Sequence, residues 1–246
     1  SYCEKEWVKF ESYNYNKNTI GTLCYWAKED SPERYKKYQQ DSVYREVNNV
    51  VYMRGTTDDL ANLLHRLYRH EFRCADIKNN IWFHFKEHRW HMIKSGAHYL
   101  IMKISNDIVQ LLVGFIQEKQ QEQGASDNDE IIKSISIKIK AAQEVIKKCK
   151  DISFKKKIIA DAAHYFYDDR FLDKLDCNHY LLGCKNGVFD LKNGIFRDGQ
   201  PDDYVSMTTG QNYYPFDPND EKTQGVFDFM NKILTNSEKR EYLLYI

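Results

Sequence analysis

Two Asn-Gly dipeptides, Asn186-Gly187 and Asn193-Gly194, place the strongest constraint on the fold of this chain. Such dipeptides accept a positive φ at little energetic cost, which is why they form tight hairpin turns. Each is followed by strand-forming residues, Val188-Phe189 and Ile195-Phe196, within a stretch of alternating apolar residues. The pattern predicts a small antiparallel β-meander near residues 180–210.

An aromatic β-hairpin near residues 81–93 is the second β-element that the sequence predicts. Two strand-like runs, 81–85 and 89–93, flank a predicted three-residue turn at 86–88. The aromatic residues of the hairpin are expected to cover a neighbouring helix.

Most of the remaining chain has the three-to-four-residue apolar spacing of amphipathic helices. The predicted helices run from Thr57 to about Phe72, from Ile104 to near Gly124, from Ile131 to Cys149 and from Phe154 to Phe166, with a short turn at 171–175 and two helices after Pro215 and Pro218. Alternation at 135–139 fits a strand, but the length of the apolar stripe favours a helix. The predicted fold class is α+β and predominantly α-helical, with the hairpin and the meander as its β-elements.

Changes in pattern along the chain predict three modules. Residues 1–50 are interpreted as a small helical module followed by a short helix at Ser31-Pro32 and a polar linker over 35–49. Residues 51–175 are predicted to form a mainly helical domain, and 176–246 the meander with the start of a helical segment. Because the chain opens without Met and closes inside a helical pattern, we expect it to belong to a longer protein.

Composition excludes some functional classes. Lys plus Arg and Asp plus Glu are equal at 36 each, so any nucleic-acid binding must use a local patch. No apolar run reaches the ~20 residues that span a bilayer, and the charged start lacks the apolar core of a signal peptide, so we expect neither membrane insertion nor secretion. The six cysteines are scattered, which favours reduced thiols without disulfides.

Motifs in three parts of the chain resemble the poxvirus-type primase-helicases of nucleocytoplasmic large DNA viruses. The first comprises 186–191 with Phe196-Arg197, 201–204 and 208–210, and it resembles the segment just before the helicase motor. The second, 18–28, is similar to the small helical module that follows the primase catalytic domain. The third, from Leu60 to Ile93 with the run HEFRCADIKNNIWFHFKEHRWHMI, resembles the amino-terminal helicase-associated domain of this family.

The resemblance implies a place and a setting for the chain. It would be the central region between an upstream primase and a downstream superfamily 3 helicase motor. The full-length protein would be an ATP-hydrolysing hexamer that uses magnesium, acts on single-stranded or forked DNA with other viral replication proteins, and works in the host cytoplasm. No cofactor is expected in this chain itself.

The sequence lacks the catalytic motifs that ATP hydrolysis and primer synthesis would require. A phosphate-binding loop needs G-x-x-x-x-G-K-[ST], but the nearest glycine spacing, Gly194 to Gly199, continues with Gln200-Pro201, which supplies neither the cation nor the hydroxyl. Asp127-Asn128-Asp129 has the spacing of paired metal-binding carboxylates but lies in a polar connector, so we interpret it as a loop and helix cap. No catalytic residue is therefore assigned.

A zinc site has weak support in the sequence. Cys177, His179 and Cys184, with His164 upstream, are the candidates, but the two cysteines are seven residues apart instead of three. We therefore predict no metal ligand, and we keep a small zinc-dependent module as a minor alternative.

Nucleic-acid binding has two groups of candidate residues. Six lysines in a short segment could follow a phosphate backbone, and two tryptophans of the hairpin could stack on bases. These candidates are Lys147, Lys148, Lys150, Lys155, Lys156 and Lys157, together with Trp82 and Trp90. The alternatives are a solvated helix junction for the lysines and packing against the helix of residues 60–72 for the tryptophans. A protein-interaction adaptor that docks a partner through the stripe 131–149, without DNA contact, is the second functional hypothesis.

Overall fold

A computed structural model of the chain describes Ala27 and residues 30–245. The predicted helical module before Ala27 lies outside the described residues. The fold class is confirmed, because the structure is predominantly helical with two small antiparallel sheets.

Helices form most of the described chain, and the strands fall into two groups of three. The helices are α1 Pro32–Tyr52, α2 Thr57–Tyr68, α3 His98–Lys103, α4 Val109–Gly124, α5 Asp129–Lys150, α6 Ile152–Phe166, α7 Phe171–Lys174, α8 Glu221–Ile233 and α9 Ser237–Tyr245. The strands are β1 Phe72–Asp76, β2 Ile81–Lys86, β3 Arg89–Ile93, β4 Leu181–Cys184, β5 Gly187–Asp190 and β6 Ile195–Arg197. A π-helical segment, Ile104–Ile108, joins α3 to α4, and a 3₁₀ turn covers Pro201–Asp203.

The core is helical and centres on α2. The Thr56 hydroxyl caps this helix by accepting a hydrogen bond from the Asp59 amide, and Asp58 and Asp59 suit the positive end of the helix. Leu60 and Leu64 are completely buried on the face that packs against α6 and α1. This helix ends at Tyr68 and not near Phe72 as predicted.

The continuous helix His98–Gly124 supplies another wall of the core. By length and mean hydropathy (1.4) it resembles a membrane span. One face of this helix, with Leu100, Ile104, Ile108 and Leu112, is completely buried in the core, and about a third (33%) of its most apolar window is buried. The predicted end at Gly124 is confirmed.

Helix α5 contains the predicted apolar stripe, and the polar residues 127–129 before it form the predicted loop and helix cap. Asn128 is the N-cap of α5, and its side chain accepts hydrogen bonds from the amides of Glu130 and Ile131. The stripe is therefore helical and not a strand, and it packs Ile135, Ile139, Ala142, Val145 and Cys149 into the interior.

Helix α1 corrects the predicted linker at 35–49. The helix begins at Pro32, a residue suited to the first helical turn, and runs for 21 residues. Most of it is polar, but Val47, Val50 and Val51 at its end are buried in the core. The linker prediction was wrong because this largely polar helix packs on other helices, α2 above all and also α5 and α4, instead of forming a core by itself.

The first sheet has the order β1-β2-β3 and is antiparallel. The predicted hairpin is confirmed, but its turn has two residues, Glu87 and His88, because Lys86 pairs with Arg89. Both turn residues have positive φ (50° and 65°), the backbone that a two-residue type I′ turn requires. A turn at residues 69–71 replaces the predicted last turn of α2, and β1 begins at Phe72.

The second sheet is the predicted meander, with the order β4-β5-β6. The first turn consists of Lys185 and Asn186, one residue earlier than predicted, so Gly187 opens β5. A Cβ at Gly187 would lie 2.6 Å from the carbonyl oxygen of Arg197, so the close approach of β6 excludes a side chain there. In the second loop Gly194 has the predicted positive φ (65°).

Residues 204–211, called the connector below, join the two sheets. The Trp90 amide of β3 donates to the Val205 carbonyl (2.8 Å), and the Thr209 amide donates to the Gly183 carbonyl of β4 (2.8 Å). The Asp176 carboxylate accepts hydrogen bonds from the amides of Ser206 (2.7 Å) and Met207 (3.1 Å) and from the Ser206 hydroxyl. The connector is thus held from three sides.

Candidate nucleic-acid interface

The six candidate lysines, called the junction lysines below, lie on both sides of the sharp bend between α5 and α6. Asp151 ends α5 and also caps α6, because its side chain accepts a hydrogen bond from the Phe154 amide (2.7 Å). Lys147, Lys148 and Lys150 belong to the last turn of α5, and Lys155–Lys157 to the second turn of α6. The six lysines therefore do lie at a helix junction, as in the alternative interpretation that assigned them no nucleic-acid contact.

Two junction lysines are engaged in contacts within the protein. The Lys148 ammonium donates to the Arg54 carbonyl (2.8 Å) and lies 5.8 Å from the ring centre of Phe154. The half-buried Lys155 donates to the Ser105 hydroxyl of the π-helical segment (2.8 Å). These contacts direct Lys148 toward the loop after α1, and Lys155 toward the long helix.

The other four junction lysines are exposed. Lys156 borders a surface cavity of about 230 Å³ that is also lined by Asn80, Ser95 and His98. Within the part of the chain that the structure describes, Lys147, Lys150 and Lys157 have neither a hydrogen bond nor an ion pair from their ammonium groups. Their charges therefore face solvent.

The helix dipole accounts for the position of the junction lysines on α5 but not for that of the junction lysines on α6. Cations in the last turn of α5 are stabilised by the partial negative charge at the carboxyl end of a helix. Lys155–Lys157 lie near the amino end of α6, where the helix dipole gives no such stabilisation. The three consecutive charges on α6 therefore have no explanation in the helix itself.

The structure rejects Trp82 and Trp90 as stacking surfaces, since each side chain is 1% exposed. The Trp82 indole donates to the Asn80 side chain (2.8 Å) and packs on Phe166, with ring centres 5.6 Å apart. The Trp90 indole donates to the Pro201 carbonyl (2.8 Å). Both rings are therefore used in packing. The rings that they contact are Phe166 of α6 for Trp82 and Phe85 and Phe171 for Trp90, which lie outside the predicted helix of residues 60–72.

A second cationic region, at the end of α2, was not predicted from the sequence. Its residues are Arg66, Arg69, His70 and Arg73, a spacing of three to four that is visible in the run HRLYRHEFR. Arg66 pairs with Glu46 (2.9 Å), and Arg73 donates to the carbonyls of Arg69 and Phe72. These two arginines therefore have structural partners.

Burial, together with this cationic region, lowers the pKa of the neighbouring His65 to about 4. Burial is the largest cause, and the guanidinium groups of Arg73, Arg69 and Arg66 add to it. The pKa of His70 is likewise lowered, first by burial and then by Arg69 and Arg73. Both imidazoles are therefore neutral at pH 7, and the positive charge of the region comes from the arginines.

Residues 30–245 hold no group of three or more His, Cys, Asp or Glu side chains placed to share a metal ion. The Cys177 thiol, a former zinc candidate, donates to the Asp173 carbonyl (2.7 Å), whereas Cys184 is buried. Burial raises the pKa of the Cys74 and Cys149 thiols to about 11, which makes them poor nucleophiles at neutral pH. These four cysteines are free thiols in the described part of the chain.

The structure is thus a predominantly helical α+β fold, and its candidate functional groups are the exposed junction lysines. The chain belongs to the family described as D5 N terminal like, because the model of that family matches residues 61–243. The family assignment confirms the resemblance to primase-helicases of large DNA viruses.

Three relatives illustrate the breadth of the family. A protein of Acanthamoeba polyphaga mimivirus named "Putative helicase" is 35% identical over 98% of this chain and 25% of its own length. A protein of frog virus 3 with the same designation is 24% identical over 82% of this chain and 23% of its own length. A protein of African swine fever virus named "Putative primase" is 22% identical over 98% of this chain and 27% of its own length. The chain thus spans about a quarter of the length of these relatives.

Proposed function

We propose that this chain is the central, non-catalytic segment of a viral DNA-replication primase-helicase. In this role it links a primase to an ATP-driven helicase motor, supports self-association of the full-length protein and guides DNA. Magnesium, ATP, a hexameric ring, other viral replication proteins and the host cytoplasm belong to the proposal for the full-length protein. Membership of the D5 N terminal like family and the names of its viral relatives support this role.

The exposed junction lysines are the observation that carries the proposed DNA contact. Each ammonium group that neutralises a phosphate releases a condensed counterion, so binding through these lysines weakens as salt increases. The chain has no net charge, so only a local cluster of this kind can attract a polyanion. Lys156 and Lys157, which do not hold the fold together, are the central contacts of the proposal.

The test is fluorescence anisotropy of labelled single-stranded DNA at low and moderate salt. The variant carries Lys150→Glu, Lys156→Glu and Lys157→Glu, three exposed positions at the junction. We expect salt-sensitive binding by the unchanged chain and at least a tenfold loss of affinity in the variant. Lys155 is left unchanged because its bond to Ser105 contributes to the fold.

A matched control separates the junction from a general charge effect. Lys133→Glu, Lys138→Glu and Lys140→Glu make the same change in net charge at three exposed positions of α5 away from the bend. The control variant should bind almost as well as the unchanged chain. Equal losses in both variants would indicate non-specific attraction, and no binding by the folded unchanged chain would contradict the DNA contact.

The adaptor hypothesis loses its docking surface in this structure. The stripe that was to hold a partner is buried along most of its length, and Ile131 at its start is 48% exposed. An adaptor role would therefore need a different surface. Similarly, the zinc-dependent alternative gains no support from the described cysteines and histidines.

A further inference from the structure

The small cavity beside Lys156 lies where the first sheet meets α6. Strand β2 pairs Trp82 with Ile93 of β3, so the turn before β2 and the turn after β3 come together at one end of the hairpin. The start of α3 and one side of α6 complete the walls. The lining residues are Asn80, Ser95, Ala97, His98, Ile101, Lys156 and Ile159. The volume of about 230 Å³ is below the ~300–1,000 Å³ of sites for drug-sized ligands, so the cavity suits a small chemical group.

The Asn80 side chain is held in one orientation at this cavity. The buried Trp82 indole, which can only donate, donates to the Asn80 carbonyl oxygen (2.8 Å), so the amide NH₂ group is turned away from the indole. Gly96 lies against this NH₂ group, because a Cβ on Gly96 would overlap the amide nitrogen. The NH₂ group makes no hydrogen bond to another described residue. Asn80 therefore presents unused N–H donors in a fixed position.

The other polar side chains of the cavity can donate as well. The Ser95 hydroxyl, the His98 imidazole and the Lys156 ammonium each provide a donor, and none of them bonds to another residue in the part of the chain that the structure describes.

Carboxylates do not line this cavity. No Asp or Glu is among its lining residues within the described chain. Asp76, the carboxylate nearest to any of them along the chain, accepts hydrogen bonds from the amide (2.9 Å) and the side chain (2.7 Å) of Asn79. A cavity with converging donors, one fixed cation and no carboxylate favours a small anion.

The position of the cavity in the fold identifies the class of anion. Lys156 is one of the exposed junction lysines, and Lys157 and Lys150 belong to the same bend between α5 and α6. An anion held in the cavity therefore has further cations close by, as a polyanion requires. Lysine, serine and asparagine side chains are common donors to the phosphate oxygens of nucleic acids.

We propose that this cavity binds one backbone phosphodiester of single-stranded DNA, with Asn80, Ser95, His98 and Lys156 as donors. The inference rests on the DNA contact of the proposed function and deepens it by assigning the chemical group that is bound and the pocket that binds it. Because a phosphate contact positions the strand without reading its bases, the contact is independent of DNA sequence.

Two variants place a carboxylate in the cavity and leave every lysine unchanged. Ser95→Asp does so at an exposed turn position. In Asn80→Asp one carboxylate oxygen still accepts from Trp82 while the other replaces the NH₂ group, and aspartate tolerates the positive φ of this residue (53°). The control is Ser153→Asp, the same substitution at an exposed position of α6 beside the junction lysines but outside the cavity. Circular dichroism and thermal unfolding establish that all three variants are folded.

Anisotropy of labelled oligothymidylate without a terminal phosphate measures the effect. We expect a loss of affinity of about tenfold or more in each cavity variant, because a donor to a charged group is replaced by a repelling charge. The loss in Ser153→Asp should stay below about threefold, since one exposed charge is screened by salt. Equal losses in Ser95→Asp and Ser153→Asp would overturn the cavity as the phosphate site, although the junction would still bind DNA.

Nuclear magnetic resonance of the Asn80 side-chain amide reports on the cavity directly. Its NH₂ signals, identified by their absence from the Asn80→Asp spectrum, should shift during titration with oligothymidylate and follow the anisotropy curve. Binding of the oligonucleotide without this shift would overturn the inference and leave the proposed DNA contact standing. A shift with inorganic phosphate but not with the oligonucleotide would make the cavity a site for a free anion and would also overturn it. No binding of DNA by the folded unchanged chain would contradict both proposals.

Discussion

The two three-stranded sheets have the same topology but different relations to the core. The first sheet, β1-β2-β3, sends Phe72, Cys74 and Trp82 into the main cluster of buried side chains. In the second sheet, β4-β5-β6, Leu182 and Ile195 are 43% and 56% exposed. The connector and the Asp176 carboxylate hold this second sheet against the first.

The comparison shows that strand pairing alone does not determine how strongly a sheet is stabilised by the rest of the fold. Both sheets satisfy their backbone hydrogen bonds, but the first also removes two large indole rings from water. Burying such rings stabilises a fold more than strand pairing does, since a net hydrogen bond contributes only about 1 kcal/mol. We therefore expect the first sheet to unfold with the core and the meander to open at lower cost.

The largest expected effect is that of Trp82→Ala. Removing this buried ring leaves a cavity beside Phe166 and should lower the free energy of unfolding by roughly 3–5 kcal/mol. Phe189→Ala in the meander, where the side chain is half-buried, should cost about 1 kcal/mol. Urea unfolding followed by circular dichroism measures both changes, and equal losses would break the comparison.

Asp176→Gly tests the attachment of the meander to the first sheet. Asp176 has a positive φ (55°) that glycine adopts easily, so the variant removes the carboxylate without adding backbone strain. Three hydrogen bonds to the connector are lost, and stability should fall by roughly 1–3 kcal/mol. Hydrogen exchange should become faster in β4–β6 than in β1–β3, whereas a uniform increase would contradict a local attachment.

Gly187→Val probes the interior of the meander. The new side chain would meet the Arg197 carbonyl, so β5 and β6 must move apart at a cost of roughly 1 kcal/mol or more. Lys185→Ala at the neighbouring turn is the control and should change stability by less than about 0.5 kcal/mol. Unchanged thermal unfolding of the valine variant would show that the sheet tolerates the displacement.

The smallest expected effect concerns pH and His65, which packs beside the first sheet through Phe166. Its pKa is about 4 in the folded chain against an ordinary value of 6.5, so the unfolded chain binds the extra proton first as the pH falls. The stability from the neutral ring is complete above pH 6.5 and decreases from there toward pH 4. Because the side chain is partly exposed, we expect a loss of roughly 1 kcal/mol between pH 7 and pH 5.

His65→Phe keeps an aromatic ring against Phe166 and removes the titration. Thermal unfolding of this variant should therefore decrease less between pH 7 and pH 5 than that of the unchanged chain. His70, His84 and His91 also have lowered pKa values and are present in both proteins, so the difference between the two isolates His65. Identical pH profiles would mean that His65 is solvated in the folded chain.

Periodicity in the sequence predicted the elements that supply their own apolar face. The stripe of α5 and the alternation of the meander are local patterns, so both could be identified correctly. Strand β1 and most of α1 have no such pattern, because each is stabilised by pairing or packing with a neighbouring element, β2 and α2 respectively. Leu111 and Leu112 both fit the apolar spacing of the predicted helix, yet Leu111 is only half-buried whereas Leu112 is completely buried.

The residues of the candidate site could be predicted from the sequence, but their contacts in the folded chain could not. Six lysines in a short segment are visible in the sequence, and so is the helix junction. The bonds of Lys148 to Arg54 and of Lys155 to Ser105 join residues that are 94 and 50 positions apart, which no local pattern reveals. The burial of Trp82 and Trp90 likewise depends on long-range packing.

The connector also determines how mechanical force passes through the molecule. A pull on the chain after residue 211 reaches the bond between Val205 and Trp90 and the bond between Thr209 and Gly183 through the same short segment. Tyr213 and Gln211 are themselves bonded to Asn186 and Lys185 in the first turn of the second sheet, so such a pull acts on the second sheet first. It reaches the first sheet only after the Thr209–Gly183 bond and the bonds of the Asp176 carboxylate to Ser206 and Met207.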